Sequence, residues 1–203
     1  MPVRRNEVKT EQMKPDFQTS FNKAISSEGF ISNNPSDKGG FTYKGISRVM
    51  HPTWPGWKII DVAIAAGNTS QLRNNEQLNK LVKEFYHVEF WNKITGDALP
   101  SQLIADELFD SSINFGVPVA SEFLQKTINL LNRNGSIYLG IKVDGIIGSQ
   151  TLAALNKCIA VNGEKLVFNL LNFYQAKRYI EIMESNGTQG IFIGWFSRID
   201  IIK

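Results

Sequence analysis

The sequence predicts a mainly α protein with one small β element near its N-terminus. Two observations carry that prediction. Over most of the chain, apolar residues recur every three to four positions, the spacing of one helix face. Residues 30–47 break that spacing. There, apolar and polar residues alternate around NNPSDKGG, in a stretch rich in Gly, Asn and Pro. No repeat of fixed period runs through the chain.

Residues 1–15 are polar and read as a loose tail. The first helix covers residues 16–28, with Asp16 as its N-cap. Phe17, Phe21, Ala24 and Ile25 form one face, and Glu28 continues it. Residues 30–47 then make a hairpin or small irregular sheet. Helical spacing returns over 57–66 and 75–91, where Leu78, Leu81, Val82, Phe85, Val88 and Trp91 form the stripe. ITGDALP is a loop, and the soft boundary at 96–101 is too short and too apolar for a flexible linker. Residues 103–115 and 119–131 read as helices. DGIIGSQT, at 144–151, is a turn entering a helix with Ser149 as N-cap. A long helix covers 163–185, and GIFIGWFSRIDIIK is apolar and helical. The expected division is a tail over 1–15, one region over 16–100 and a helical region over 101–203 packed on it.

The 203 residues allow one large domain or two small ones. With 42% hydrophobic and 20% charged residues the chain is globular rather than disordered. A net charge of +3 suits an anionic polymer without demanding one. No Lys/Arg run interleaves with aromatics, so nucleic acid is not the expected partner. No apolar window reaches the length of a membrane span. The start, MPVRRNEVKTEQMKPDF, lacks the apolar core of a secretory signal. The single cysteine, Cys158, is a core residue by pattern, and no internal disulfide is possible. Asn-x-Ser/Thr triplets at Asn68, Asn134 and Asn186 read as turn chemistry.

Phosphate loops, His-Glu-x-x-His, Cys-x-x-Cys and Gly-x-Ser-x-Gly are all absent. His51 reads as a loop residue and His87 as a surface or interhelical one, so no metal centre and no cofactor is expected. Carboxylates remain. A Glu on an apolar face loses hydration, which disfavours its charged form and lets it hold a proton near neutral pH. Glycosidic bonds need such an acid, and a second carboxylate to activate water or stabilise positive charge. Glu28 fits the first role. Asp37, nine residues on, fits the second. The same position of Glu28 also suits an exposed last helical residue, with Gly29 as the C-terminal cap.

The segment EGFISNNPSDKGGFTYKGI resembles the N-terminal motif of the N-acetylmuramidases of glycoside hydrolase family 108. Glu28, Gly29, Asn33, Pro35, Asp37, Gly39, Gly40, Thr42, Gly45 and Ile46 fall in register with it. Phe30, Ile31, Asn34 and Tyr43 depart from it. EFYHVEFW and GDALPSQLIADELFDSSINFG are similar to later segments of the family. LQKTINLL, VDGIIGSQTLAALN and GWFSR resemble its peptidoglycan-binding-like region.

The resemblance implies a lysozyme-like fold, a helical bundle with a small β-hairpin lobe next to the catalytic helix. It implies peptidoglycan as substrate, cut at the β-1,4 bond between N-acetylmuramic acid and N-acetylglucosamine. Glu28 is then the general acid and Asp37 its partner, with Thr42, Tyr43 and Asn114 at the substrate. Asp110 and Asn114 serve equally well as helix-bridging residues. Trp195 and Arg198 offer a sugar or peptide contact, or, for Trp195, core. The expected protein is a monomer that acts at the cell wall and leaves the cytoplasm through a holin or dedicated secretion route. Two rivals are a lytic transglycosylase, which uses one Glu and releases 1,6-anhydro ends, and a non-catalytic wall-binding or secretion-associated protein, which the departures at Phe30 and Ile31 favour.

Overall fold

The computed structural model describes residues 14–25, 30–33, 40–186 and 193–202. It is mainly helical with one three-stranded antiparallel sheet. Glu28 and Asp37 lie outside the described residues.

Helix α1 is Phe17–Ile25. Asp16 caps it as expected, its carboxylate accepting from the Thr19 backbone N–H at 2.8 Å. The apolar stripe is a true core face. Phe17 packs against Phe21, His87, Trp91 and Phe109, and Phe21 against Tyr86. His87 is therefore interhelical.

The small sheet follows: β1 Ile31–Asn33, β2 Phe41–Tyr43 and β3 Ile46–Ser47. Tyr43 pairs with Ile31 on one side and Ile46 on the other. Two residues, Lys44 and Gly45, close the β2–β3 turn, both with positive φ. That geometry matches the right-handed strand twist and explains the Gly in TYKGI. The turn is pinned from outside. Tyr86 Oη donates to the Lys44 carbonyl at 2.7 Å, and Lys44 Nζ donates to Asn79 Oδ1 at 2.9 Å.

Helix α2, Gly56–Ala65, and a 3₁₀ segment, Thr69–Asn74, lead to α3, Glu76–Tyr86, which Asn75 caps. The aromatic stretch His87–Trp91 continues α3 as a π turn, closed by Asn92 N–H to the His87 carbonyl at 2.9 Å. In ITGDALP, Gly96 lies under the indole of Trp91. A Cβ there would sit 2.3 Å from the ring, and Trp91 Nε1 donates to Asp97 Oδ1 at 2.8 Å.

The remaining helices are α4 Gln102–Phe115, α5 Val117–Leu131, α6 Ser149–Asn162 and α7 Glu164–Asn186. Ser101 caps α4. Ser149 does not cap α6. It is the first helical residue, and Gly148 holds the cap position in extended backbone without a side-chain bond. Side-chain amides hold the long connection between α5 and α6. Gln125 Oε1 accepts from the N–H groups of Asp144 and Gly145, and Gly145 has positive φ against Pro118, where a Cβ would crowd the chain. Cys158 is fully buried.

The C-terminal stretch is only partly helical. A 3₁₀ segment, Ile193–Arg198, gives way to extended chain. Asn169 of α7 holds both the N–H and the carbonyl of Ile202, at 3.0 and 2.9 Å. Asn172 Oδ1 accepts from the Asp200 N–H at 2.9 Å. One continuous apolar core runs from Ala24 through the aromatic residues of α3 and α4 to Leu171 of α7. No helix among the described residues is long and apolar enough to cross a membrane.

Candidate active site

Helix α1 and helix α4 lie side by side, and a polar seam joins them. Asp106 Oδ1 accepts from Ser20 Oγ at 2.6 Å and from Gln102 Nε2 at 2.7 Å, and its Oδ2 faces Lys23 Nζ at 3.6 Å. Next to this seam a pocket of about 300 Å³ opens. Its walls come from α1, α4, α7 and the C-terminal segment. Lys23, Asp106, Glu107, Asp110, Arg198 and Asp200 supply its charges. Lys23 precedes Glu28 by five residues.

Glu107 is the carboxylate that sequence reading passed over. It lies on the inward face of α4 and is 7% exposed. Burial, aided by the negative charge of Asp110, pushes its pKa up to about 8. Ser111 Oγ donates to Oε1 at a long 3.3 Å. The signal was present in the chain. Glu107 sits at i+3 from Ile104 and i−1 from Leu108, the same apolar-face placement that singled out Glu28.

Asp110 sits one turn further along and serves as a hub. It accepts from Arg198 Nη1 at 2.8 Å, Gln175 Nε2 at 2.8 Å and Asn114 Nδ2 at 2.9 Å. Asp110 thus bridges α4, α7 and the C-terminal segment. Asn114 also donates to the Asp110 backbone carbonyl at 2.8 Å. It belongs to this bridge and does not line the pocket.

Thr42 and Tyr43 do not line that pocket either. Thr42, half-buried at the centre of β2, pairs with Ser32 and Ser47. Tyr43 is not placed to touch a substrate. It is 0% exposed, shares its strand face with Phe41, and donates its hydroxyl to the Leu72 carbonyl at 3.2 Å. Burial pushes its pKa up to about 12. The alternation of side chains along β2 turns Tyr43 inward. The motif departures at Phe30, Ile31 and Tyr43 meet at this point. The Phe30 ring stands edge-on to Tyr43 at 5.1 Å, Ile31 pairs with Tyr43 across the strands, and the Arg73 guanidinium lies over Phe30. They form one packing unit.

Trp195 is half-buried, with its ring 5.1 Å from Tyr179. Among the described residues no group of His, Cys, Asp and Glu could hold a metal ion.

The family model for glycosyl hydrolase 108 matches residues 21–116, and that for a predicted peptidoglycan domain matches residues 119–200. Residues 21–116 thus form a glycosyl hydrolase 108 segment. Among solved structures, that of Brucella abortus SagA is similar, with 25% identity over 90% of this chain and 88% of the other, at a TM-score of 0.60. No curated protein matches the chain. The family-108 match ends at Gly116, where α4 stops with positive φ before α5 begins. The pocket therefore has walls from both matched segments, α1 and α4 from the first, α7 and the C-terminal residues from the second. The enzyme is a peptidoglycan hydrolase of the lysozyme-like kind, a glycosidase whose substrate is peptidoglycan.

Proposed function

We propose that this hydrolase is an N-acetylmuramidase that cleaves the β-1,4 bond after N-acetylmuramic acid, with Glu28 as general acid. The observation that carries the reading is α1. Its stripe of Phe17, Phe21 and Ala24, which enters the family-108 match at residue 21, packs against the core, and Glu28 follows that stripe in sequence. A carboxylic acid continuing an apolar face keeps its proton and can give it to the leaving oxygen. Asp37 is the partner carboxylate, orienting water or stabilising the oxocarbenium-like state. Thr42 and Asn114 contact the glycan around it. The enzyme acts at the cell wall.

The meeting of Phe30, Ile31 and Tyr43 supports catalysis over mere wall binding, because these departures satisfy one another's packing. The test is product analysis on purified peptidoglycan. Wild type is expected to release fragments with reducing muramic ends, and Glu28→Gln none, with an unchanged circular dichroism spectrum. Anhydro ends would make it a transglycosylase, and turnover by Glu28→Gln would remove the role given to Glu28. Asp37→Asn is expected to lower kcat at least about a hundredfold, the lower end of what a positioned acid–base group contributes, roughly 10²–10⁴. An unchanged kcat would leave Asp37 a loop residue.

A further inference from the structure

The described residues hold other cavities, beside the α5–α6 connection and along α2, but these are shallow and lack convergent charge. The pocket between α1, α4, α7 and the C-terminal segment differs. Its lining combines apolar Ala24 and Phe168 with charged groups. Among the described residues its four carboxylates outnumber Lys23 and Arg198, in a chain of net charge +3. Those two cations are turned to Asp106 and Asp110. Glu107, more than nine-tenths buried, forms no ion pair among the described residues. Asp200 is exposed, its backbone N–H donating to Asn172 Oδ1, and its carboxylate forms no ion pair among the described residues.

We propose that this pocket is a specificity subsite for the stem peptide of peptidoglycan, taking an ammonium group of that peptide between Glu107 and Asp200. The inference rests on the proposed function, and deepens it by giving the second matched segment a share in substrate recognition. Arg198 and Asp200 come from that segment, and Glu107 from the glycosidase segment, so neither makes the subsite alone. A metal ion is a poor alternative, since no ligand set for one is present among the described residues. An ammonium is compact, carries three donors and needs few acceptors. Ser111 and Asn172 hydrogen-bond the Glu107 carboxyl, Lys23 of α1, Asp110 of α4 and Tyr179 of α7 act on it through their charge, and Asp106, Arg198 and Asp200 share its pocket. Free, Glu107 is held neutral near pH 7 by burial and by Asp110. A bound ammonium favours its carboxylate form, so binding releases a proton.

The experiment compares two preparations of the same uncrosslinked glycan strands, one with free peptide amines and one with those amines acetylated. Wild-type kcat/KM is expected to be roughly tenfold higher on the free-amine strands, the value of one charge-assisted hydrogen bond. Asp200→Asn and Glu107→Gln are each expected to bring that ratio towards one. Equal cleavage of both preparations by wild type would overturn the subsite while leaving the muramidase reading intact. Should neither preparation be cut, calorimetric titration with soluble Ala-Glu-Lys tripeptide decides the matter separately. Binding with proton release at pH 7, lost on N-acetylation of the peptide and reduced in Asp200→Asn, supports the subsite. Binding that is absent, or indifferent to acetylation, overturns it.

Discussion

Glu107 is the residue whose chemistry most depends on its place. Its carboxyl titrates near 8 in the folded protein against an ordinary value of 4.5. Below about 4.5 both folded and unfolded chains hold the proton. Between there and about 8 only the folded chain does, so stability falls as pH rises across that window. Wild type is expected to lose on the order of a few kcal/mol between pH 5 and pH 8.5, and Glu107→Gln to flatten that slope in urea titrations at both pH values. Parallel slopes for the two proteins would show that Glu107 ionises freely. At this scale the sequence was only half legible. The apolar stripe of α1 could be read because every member is aromatic or aliphatic, and it packs as read. Glu107 carried the same apolar-face signal as Glu28, but the pocket that gives it meaning is completed by α7 and the C-terminal chain, which are far away in sequence. Tyr43 was misplaced for a related reason. A motif aligns residues along the chain, but whether a β-strand side chain points inward depends on its neighbours across the sheet.

At the scale of elements, the helices were legible wherever the period was long and clean, from α1 to α7. The interruptions were not. The 3₁₀ segment Thr69–Asn74 carries polar residues around one buried leucine, Leu72, which is too little for a periodic signal. Ser149 offered cap chemistry one residue inside the helix that Gly148 begins, a shift that hydrogen-bond preference alone does not resolve. The loop ITGDALP looked like ordinary punctuation, yet its glycine is a packing residue. Gly96→Ala would drive a methyl group into the Trp91 ring. The expected cost is about 1–3 kcal/mol from overpacking, read as a lower thermal midpoint with weakened near-ultraviolet tryptophan dichroism. An unchanged midpoint would mean that the indole moves aside freely.

At the scale of the whole molecule, the boundary between the two matched segments falls between α4 and α5, yet the apolar core passes through it. Phe109 and Leu108 of α4 belong to the same cluster as Leu124 of α5 and Phe168 of α7. One cooperative thermal transition is therefore expected, with calorimetric and van't Hoff enthalpies equal. Two separable transitions would mean that the halves fold independently. Within the first half, the π turn His87–Trp91 ties α1 to α4, where Phe17 lies against both His87 and Trp91 while Trp91 reaches Phe109. Its bonds close five residues back instead of four, so it holds one residue more than a regular helix would need. Removing one residue from this stretch would leave an unbroken α-helix and a perfectly helical-looking sequence. It would also turn everything after it by about a quarter of a rotation, so that Trp91 would leave its slot over Gly96. In this part of the chain, a one-letter deletion is expected to be worse tolerated than most substitutions, and the spacing of its aromatics is as much inherited information as their identity.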